Sequence, residues 1–234
     1  GFFKAEGLDV TLIKGSAGVP AAQLAASGKV EFGVVSADQV ITLRSRGAPL
    51  VATYASFQTS PRAIGVHADS PHKDLGSLWK SDAKVAIEPG LPDARWLDKH
   101  YPGGTLKKVA ASGGLAGFMQ DKSLAQAVYI FAEPVELGLR KVPTRTFKVA
   151  DSGYNPYAVV LATRDSYLAE NRETVAKFTR ALQKGWAHYL ATPQPTNAAM
   201  AKLNPAMKKE AMDLAARLAD PYVRADNLRG EGKL

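Results

Sequence analysis

Short apolar runs that end in a small or acidic polar residue, each followed by a helix-like segment, recur along this chain. The clearest cover residues 8–18, 30–38, 84–90 and 126–134. Each run predicts a strand followed by a helix. In open α/β sheets, ligands bind outside the carboxyl ends of the strands, where the N–H groups of helix starts point outward. Two runs lie early and two in the middle, so we predict two small α/β lobes whose polar strand ends face a shared cleft.

The first 67 residues alternate strands and helices in the order typical of a parallel sheet covered by helices. Residues 8–13 alternate apolar and polar positions like a half-buried strand, and Gly28 ends the helix that follows. Ser36 is a good N-cap for the next helix. Further strands are predicted at residues 30–35, 50–55, 62–67, 84–87, 106–110, 127–131, 147–151 and 157–163.

The chain is predicted to cross between the lobes twice. Lobe 1 takes residues 1–64 and 155–234, and lobe 2 takes residues 65–154. Two crossings form a hinge, and a hinge beside a cleft implies closure around a ligand. Most of the chain after residue 165 is predicted to be helical, with one amphipathic face formed by Val175, Phe178, Leu182, Trp186 and Tyr189.

Composition narrows the function classes. The chain has 234 residues, of which 46% are hydrophobic, and no apolar run approaches the ~18 residues that cross a bilayer. The net charge of +8 is scattered and lacks a basic stripe interleaved with aromatic residues, so we expect no nucleic-acid partner. The sequence contains no cysteine, which excludes thiol catalysis, cysteine-ligated metals and disulfides.

Enzyme motifs are also missing from the sequence. It contains no signature of serine hydrolases, P-loop NTPases, zinc proteases or dinucleotide-binding enzymes. Its histidines, four in number, show no metal-ligand spacing. We therefore expect no catalytic residues, no metal and no cofactor, although a paired-carboxylate enzyme stays open as an alternative.

Small and polar residues follow the first two predicted strands. Ser16, Ala17 and Gly18 offer small side chains and free N–H groups at a helix start, which suit a carboxylate, sulfonate or phosphate. The alternative is a turn that needs glycine only for its backbone. Ser36 and Asp38 could contact a ligand, or they could only cap the helix and complement its dipole.

Two glutamates lie at the later strand ends. Glu88 and Glu133 each follow a buried-looking strand and precede proline. A carboxylate there can accept hydrogen bonds from an amino group, an amidine-like ring edge or a hydroxyl. Either residue could instead only place a charge at a helix start. The pattern favours a binding role more strongly for Glu133 than for Glu88.

Aromatic and amide side chains occur where the chain crosses between the predicted lobes. Tyr154, Asn155 and Tyr157 could hold a flat heterocycle or a hydrocarbon, or they could be turn and core residues. Gln58, at the first crossing, has the same two interpretations.

The opening segment of the chain resembles a known family. This segment, GFFKAEGLDVTLIKGSAGVPAAQLAASGKVEFGVVSADQVITLRSRG, is similar to the substrate-binding proteins of ABC importers for nitrate, sulfonates, taurine and thiamine-pyrimidine precursors. Two later segments are similar to the branch of this family that takes pyrimidine precursors of thiamine or riboflavin-like compounds. They are QAVYIFAEPVEL and SGYNPYAVVLATRDSYLAENRETVAKFTRALQKGWAHYL. The resemblance covers nearly the whole chain.

The resemblance implies a type II periplasmic-binding-protein fold with a hinge and a ligand cleft between the lobes. It implies a monomer that closes on a small molecule and delivers it to an ABC permease in the membrane. Ligand contacts would come from the loop 16–19, including Val19, from residues 36–38 and from Glu133. The ligand would be a thiamine-pyrimidine precursor or related heterocycle, or a small anion of the sulfonate or nitrate type.

The segment GFFKAEG is normally preceded in that family by a first strand and an aromatic-bearing loop. We therefore expect an N-terminal piece before Gly1, and a periplasmic or lipid-anchored extracytoplasmic location. Two other classes share the fold. A yeast-type pyrimidine-precursor synthase resembles an iron-dependent enzyme with a cysteine-rich motif, which this chain lacks. The effector-binding domain of a LysR-type regulator needs a winged helix-turn-helix upstream, and GFFKAEG matches the importers better.

Overall fold

The protein is described by a computed structural model, which covers residues 1–15, 20–88, 91–110, 114–204 and 207–224. Helices and strands are interspersed up to Arg164, and only helices follow it in these ranges. The strands are β1 Gly33–Val35, β2 Leu50–Ala55, β3 Arg62–His67, β4 Lys84–Ala86, β5 Lys107–Val109, β6 Leu124–Tyr129, β7 Thr144–Lys148 and β8 Val160–Arg164. The helices are α1 Phe2–Ala5, α2 Ala21–Ala26, α3 Ala37–Arg44, α4 Leu75–Trp79, α5 Pro92–His100, α6 Ala116–Gln120, α7 Glu133–Leu139, α8 Asp165–Glu170, α9 Arg172–Ala191, α10 Pro193–Leu203 and α11 Lys209–Val223. A 3₁₀-helix, Val149–Ser152, follows β7. None of the helices in these ranges is both long and apolar enough to cross a membrane.

The first of two compact units is built around a three-stranded sheet with the order β1-β8-β2. It comprises Gly1–Gln58, Pro156–Thr196 and the chain from Val223 onward. Strand β8 is antiparallel to both of its neighbours, so β1 and β2 run in the same direction on either side of it. Val35 and Ala55 both pair with Val160. The carboxyl ends of β1 and β2 therefore lie at the same sheet edge as the amino end of β8.

Small apolar side chains fill the core of the first unit, because α2 and α3 pack closely on a narrow sheet. The buried members are Ala22, Ala25, Val35, Val40, Leu50, Val160 and Ala162. Helix α9 adds an aromatic layer, in which the Phe178 ring lies 4.2 Å from Phe32 and 4.6 Å from Phe3. The amphipathic face predicted for this helix is confirmed, since Val175 and Phe178 are buried.

The second unit is built around a five-stranded mixed sheet with the order β5-β4-β6-β3-β7. It comprises Thr59–Asn155 and Asn197–Tyr222. Strand β4 is parallel to β5 and β6, whereas β3 is antiparallel to β6 and β7. Its largest core cluster is formed by the buried side chains Ile64, Val66, Leu75, Leu78, Trp79, Val85, Ile87, Ala94, Leu97, Ala125 and Val149.

The strand predicted at residues 8–13 is wrong, because the described residues 8–15 contain no strand. Leu12 is 86% exposed and Ile13 is 66% exposed. An extended segment needs a neighbouring strand to satisfy its N–H and C=O groups. No described strand pairs with residues 8–13, so the alternating pattern alone does not make them part of a sheet.

The parallel sheet predicted from the strand–helix alternation is also wrong, because both sheets contain antiparallel pairs. In the first unit, β8 enters between β1 and β2 with the opposite direction, and in the second unit β3 does so between β6 and β7. Some boundaries shift as well. The strand predicted at residues 147–151 lies earlier, at β7, and the chain then turns through the 3₁₀-helix. Such pairings join distant segments, and local periodicity carries no information about them.

An ion cluster ties α1 to α9 within the first unit. The Glu6 carboxylate accepts hydrogen bonds from Lys184 Nζ at 2.6 Å and from Arg180 Nη2 at 3.0 Å. Only 11% of the Glu6 side chain is exposed. The hydrogen bonds from Lys184 and Arg180 hold the pKa of Glu6 below its ordinary value of 4.5. Glu6 is therefore a pH-dependent attachment point of the first helix.

We expect Glu6→Gln to lower the free energy of unfolding at neutral pH. Because the folded-state pKa is depressed, the carboxylate stabilises the fold above its unfolded pKa, and this contribution is lost as the pH falls through the folded pKa. Urea unfolding of both proteins over a series of pH values should show the difference shrinking toward acid. The matched control is Glu173→Gln, which removes an 81%-exposed partner of Lys177 on the same helix. An equal loss in both variants would contradict a special role for Glu6.

Candidate functional site

Four of the residues predicted to bind a ligand lie at one edge of the sheet in the first unit. Ser36 and Asp38 follow the carboxyl end of β1, Gln58 follows that of β2, and Tyr157 precedes the amino end of β8. The register described above places these three strand ends together. The pairing of β8 with β1 and β2 therefore brings these four residues to a single edge of the sheet.

Ser36 and Asp38 form the start of α3. Asp38 Oδ1 accepts hydrogen bonds from the Ser36 hydroxyl and, at 2.9 Å, from the N–H of Gln39. Gln39 Oε1 in turn accepts from the N–H of Ser36 at 3.2 Å. Both Ser36 and Asp38 are buried. These contacts account for Ser36 as a helix cap, which was the alternative to ligand binding, and they fix the orientation of the Asp38 carboxylate.

Tyr157 and Gln58 complete this edge. The N–H of Ala37 donates to the carbonyl oxygen of Tyr157 at 3.0 Å, so the chain entering β8 is held against the first turn of α3. Gln58 donates from Nε2 to the carbonyl oxygen of Ala55 at 3.1 Å. The remaining members predicted for this site, Ser16, Ala17, Gly18 and Val19, lie outside the described residues. Ligand contact by any of these residues stays a prediction.

The other four predicted residues lie at one edge of the sheet in the second unit. Glu88 follows β4, Glu133 follows β6, and Tyr154 and Asn155 follow β7 and the 3₁₀-helix. Strands β4, β6 and β7 all end at this edge, since β4 is parallel to β6 and both β6 and β7 are antiparallel to β3. The amino end of β3 lies here too, because Arg62 pairs with Tyr129.

Glu133 begins α7 and has one carboxylate oxygen engaged. Its Oε2 accepts a hydrogen bond from the N–H of Tyr129 at 2.8 Å, which closes the turn between β6 and the helix. The side chain is half-buried. A helix-start role thus explains Oε2, while Oε1 has no hydrogen-bond partner among the described residues. Glu133 can therefore serve the turn with one oxygen and accept a hydrogen bond from a ligand with the other.

Glu88, Tyr154 and Asn155 have less specific surroundings. Glu88 is exposed. The Tyr154 ring packs against the core of this unit, with its centroid 5.6 Å from that of Trp96. Asn155 Oδ1 accepts a hydrogen bond from the N–H of Ser60 at 2.8 Å. The contacts of Tyr154 and Asn155 match the core and turn roles that were their alternatives, and a binding role for all three stays a prediction.

An ion pair at the same edge was missed by the sequence reasoning. Arg62 Nη1 lies 3.0 Å from Asp93 Oδ2, and the two side chains are only 20% and 7% exposed. Asp93 lies in the first turn of α5, and its Oδ1 accepts from the N–H of Ala94 at 2.9 Å. The available signal was an arginine that opens an otherwise apolar strand, and an acid in the first turn of a helix that follows a strand end.

These two edges carry groups that can bind a small molecule. They present oriented carboxylates and, in the second unit, a guanidinium that is held in place by Asp93. Such groups recognise amino groups, ring edges and anions. Among the residues that the structure describes, no group of three or more His, Asp or Glu side chains could hold a metal ion.

Comparison with known proteins shows which family has this pattern. A family model described as NMT1/THI5 like matches residues 1–81 and 100–196. The riboflavin-binding protein RibY of Chloroflexus aurantiacus is 27% identical over 202 residues, covering 82% of this chain and 57% of RibY. The 4-amino-5-hydroxymethyl-2-methylpyrimidine phosphate synthase of Candida albicans is 25% identical over 226 residues, covering 90% of this chain and 66% of the synthase. The chain thus spans less than two thirds of the length of either curated relative.

A solved structure supports the fold. The periplasmic aliphatic sulphonate binding protein SsuA of Escherichia coli has a TM-score of 0.66 and 18% sequence identity, covering 83% of this chain and 65% of SsuA. At this level of identity the likeness concerns the fold alone. The predicted α/β periplasmic-binding-protein fold is confirmed.

We expect Asp93→Asn to destabilise the protein by about 1–3 kcal/mol, because it removes the negative charge that faces a largely buried guanidinium. Urea unfolding followed by circular dichroism measures the loss. The control is Asp69→Asn, since Asp69 and its partner Lys122 are 70% and 78% exposed and such pairs contribute about 1 kcal/mol or less. A similar, small loss in both variants would show that Arg62 does not depend on Asp93.

Proposed function

We infer a transport role from one premise: the chain belongs to the NMT1/THI5-like family. We propose that it is the substrate-binding component of an ABC importer, which captures a small molecule by hinge closure of two lobes and delivers it to a membrane permease. The observation that carries the proposal is that all eight predicted binding residues within the described ranges lie at two sheet edges, one in each unit. Ligands of open α/β sheets bind at such edges.

The ligand proposed is a thiamine-pyrimidine precursor or a related heterocycle such as a flavin, with a sulfonate or nitrate-type anion as the second class. The heterocycle is supported by the riboflavin-binding relative and by Glu133, whose second carboxylate oxygen can accept from an amino group or ring N–H. The anion is supported by Arg62, a fixed guanidinium at the same edge as Glu133.

Transport also assigns a location and a partner. Delivery to a permease requires an extracytoplasmic protein, in the periplasm or held by a lipid anchor. We propose the two compact units as the lobes that close, with Thr59–Asn155 and Asn197–Tyr222 forming the second lobe. The second lobe of residues 65–154 predicted from the sequence would divide β3, which runs from Arg62 to His67. No catalysis is part of this proposal.

The second candidate is a pyrimidine-precursor synthase, which the relative from Candida albicans supports. The absence of cysteine from the whole sequence argues against it, because an enzyme dependent on thiols has none here to use. Binding without turnover separates the two candidates.

Ligand-dependent thermal unfolding tests the proposal directly. We expect the melting temperature to rise with 4-amino-5-hydroxymethyl-2-methylpyrimidine, riboflavin or an alkylsulfonate, because a ligand that binds only the folded state stabilises it. Chromatography of the same mixtures should return the ligand unchanged. Conversion of the pyrimidine or of any other ligand would contradict a pure binding role. The proposal would also be contradicted if none of the three compounds stabilised the protein.

Glu133→Gln is expected to weaken binding of an amino-pyrimidine or flavin by roughly ten- to a hundredfold, the value of one charge-assisted hydrogen bond. The glutamine oxygen can keep the bond to the Tyr129 N–H, so only the group offered to the ligand changes. Isothermal titration calorimetry measures the change.

The matched control is Glu136→Gln, which lies in the first turn of the same helix and pairs with Arg140 at the surface. Its affinity should equal that of the wild type. Unchanged binding in Glu133→Gln would remove Glu133 from the site. Sulfonate binding that is lost in Arg62→Gln and kept in Glu133→Gln would instead favour the anion as the ligand.

A further inference from the structure

One face of helix α11 in the second unit is exposed and has a mixed apolar and charged composition. Glu210, Leu214, Arg217 and Leu218 follow one another at intervals of three and four residues, so they lie on the same side of the helix. All four are exposed, with Leu214 at 38% and Leu218 at 42%. The opposite side carries the buried residues Met212, Ala216 and Ala219, which attach the helix to its own unit.

An open cavity of about 520 Å³ lies along this exposed face. It is lined by Leu139, Lys209, Glu210, Asp213, Leu214 and Arg217. Leu139, from the end of α7, is 36% exposed and adds to the apolar part of the surface. None of the residues that line the cavity belongs to the ligand site proposed above.

The four charged residues that line the cavity fall into two groups. Lys209 and Asp213 pair with each other at 2.5 Å, and Asp213 also accepts from Asn197 at 2.7 Å. Glu210 and Arg217, by contrast, form no ion pair among the described residues. They are seven positions apart, which is about 10 Å along the helix axis and too far for contact with each other. Glu210 and Arg217 therefore present charges on either side of Leu214 that no ion pair in the described ranges neutralises. The hydrogen bonds from Lys209 and Asn197 lower the pKa of Asp213, and the charge of Arg217 also helps to lower it.

We propose that this face binds a second copy of the same chain, with two α11 helices packed antiparallel about a two-fold axis near Leu214. In that arrangement Glu210 lies opposite the partner's Arg217, and the symmetry repeats the pair. Leu214 meets its own symmetry mate, with Leu218 and Leu139 beside it. Along the helix, Glu210 is followed by Leu214 and then by Arg217. When a second helix runs antiparallel to the first, each charge meets its opposite, and this favours a second copy of the chain over an unrelated partner.

The size of the contact sets the strength of the dimer. Stable interfaces bury about 1,200–2,000 Å² in total, and one pair of helices with a few neighbouring side chains lies at or below the lower end of that range. The dimer should therefore form at high protein concentration and dissociate on dilution. This proposal replaces the monomer expected from the sequence, and it does not depend on which ligand the protein carries.

Charge-swap variants of the full chain test the proposal by sedimentation velocity over a range of concentrations. The wild type should shift from the 24.9 kDa monomer toward twice that mass as its concentration rises. Glu210→Arg and Arg217→Glu each place like charges opposite one another, so each alone should self-associate at least tenfold more weakly. An equimolar mixture of the two single variants should regain association, because acid and base again lie opposite each other.

Two controls keep the test decisive. Lys202→Glu makes a charge change of the same size at an exposed position of α10 outside this face, and it should dimerise like the wild type. Circular dichroism should show the same helix content in all variants. A wild type that is monomeric at every concentration overturns the proposal. The proposal is also overturned if both single variants self-associate as strongly as the wild type. It is overturned as well if the protein stays monomeric and binds the solubilised permease through Glu210 and Arg217.

Discussion

The antiparallel pairing of β8 with both β1 and β2 is the interaction on which the first unit depends. Without β8, the two short parallel strands have no shared neighbour, and residues near position 33 have no contact with residues near position 162. The same pairing brings Tyr157 to the first turn of α3, where Ser36 and Asp38 lie. One set of backbone hydrogen bonds thus forms the sheet and also positions the polar groups at its edge.

Both sheet edges use the same device to fix their carboxylates. In each case one oxygen accepts a hydrogen bond from a backbone N–H: Gln39 for Asp38, Ala94 for Asp93 and Tyr129 for Glu133. A side chain held in this way has already lost much of its rotational freedom before a ligand arrives. Less conformational entropy is then lost on binding, which favours affinity for a small molecule with few contacts. The caps and turns that once competed with the binding interpretation are therefore compatible with it.

Structural features that depend on neighbouring residues could be predicted from the sequence, whereas contacts between residues far apart in the chain could not. The order of strands and helices could be predicted, because periodicity and caps such as Ser36 are local. The insertion of β8 between β1 and β2 could not, since nothing near Gly33 specifies a partner at Ala162. Residues 8–13 failed for the same reason, having the pattern of a strand but no described partner. Glu133 was found because it directly follows its strand, whereas Arg62 and Asp93 meet across 31 positions.

The two sheets also differ in how much of the chain must exist before they can form. All five strands of the second unit lie between Arg62 and Lys148, so this sheet can close while the remainder is still being synthesised. The first sheet cannot, because its middle strand is made last, after the whole of the other sheet. Contacts of such long sequence separation form slowly. During synthesis β1 and β2 therefore have unpaired edges until β8 has been made. At that stage the nascent protein is most prone to misfold and most available for binding by chaperones.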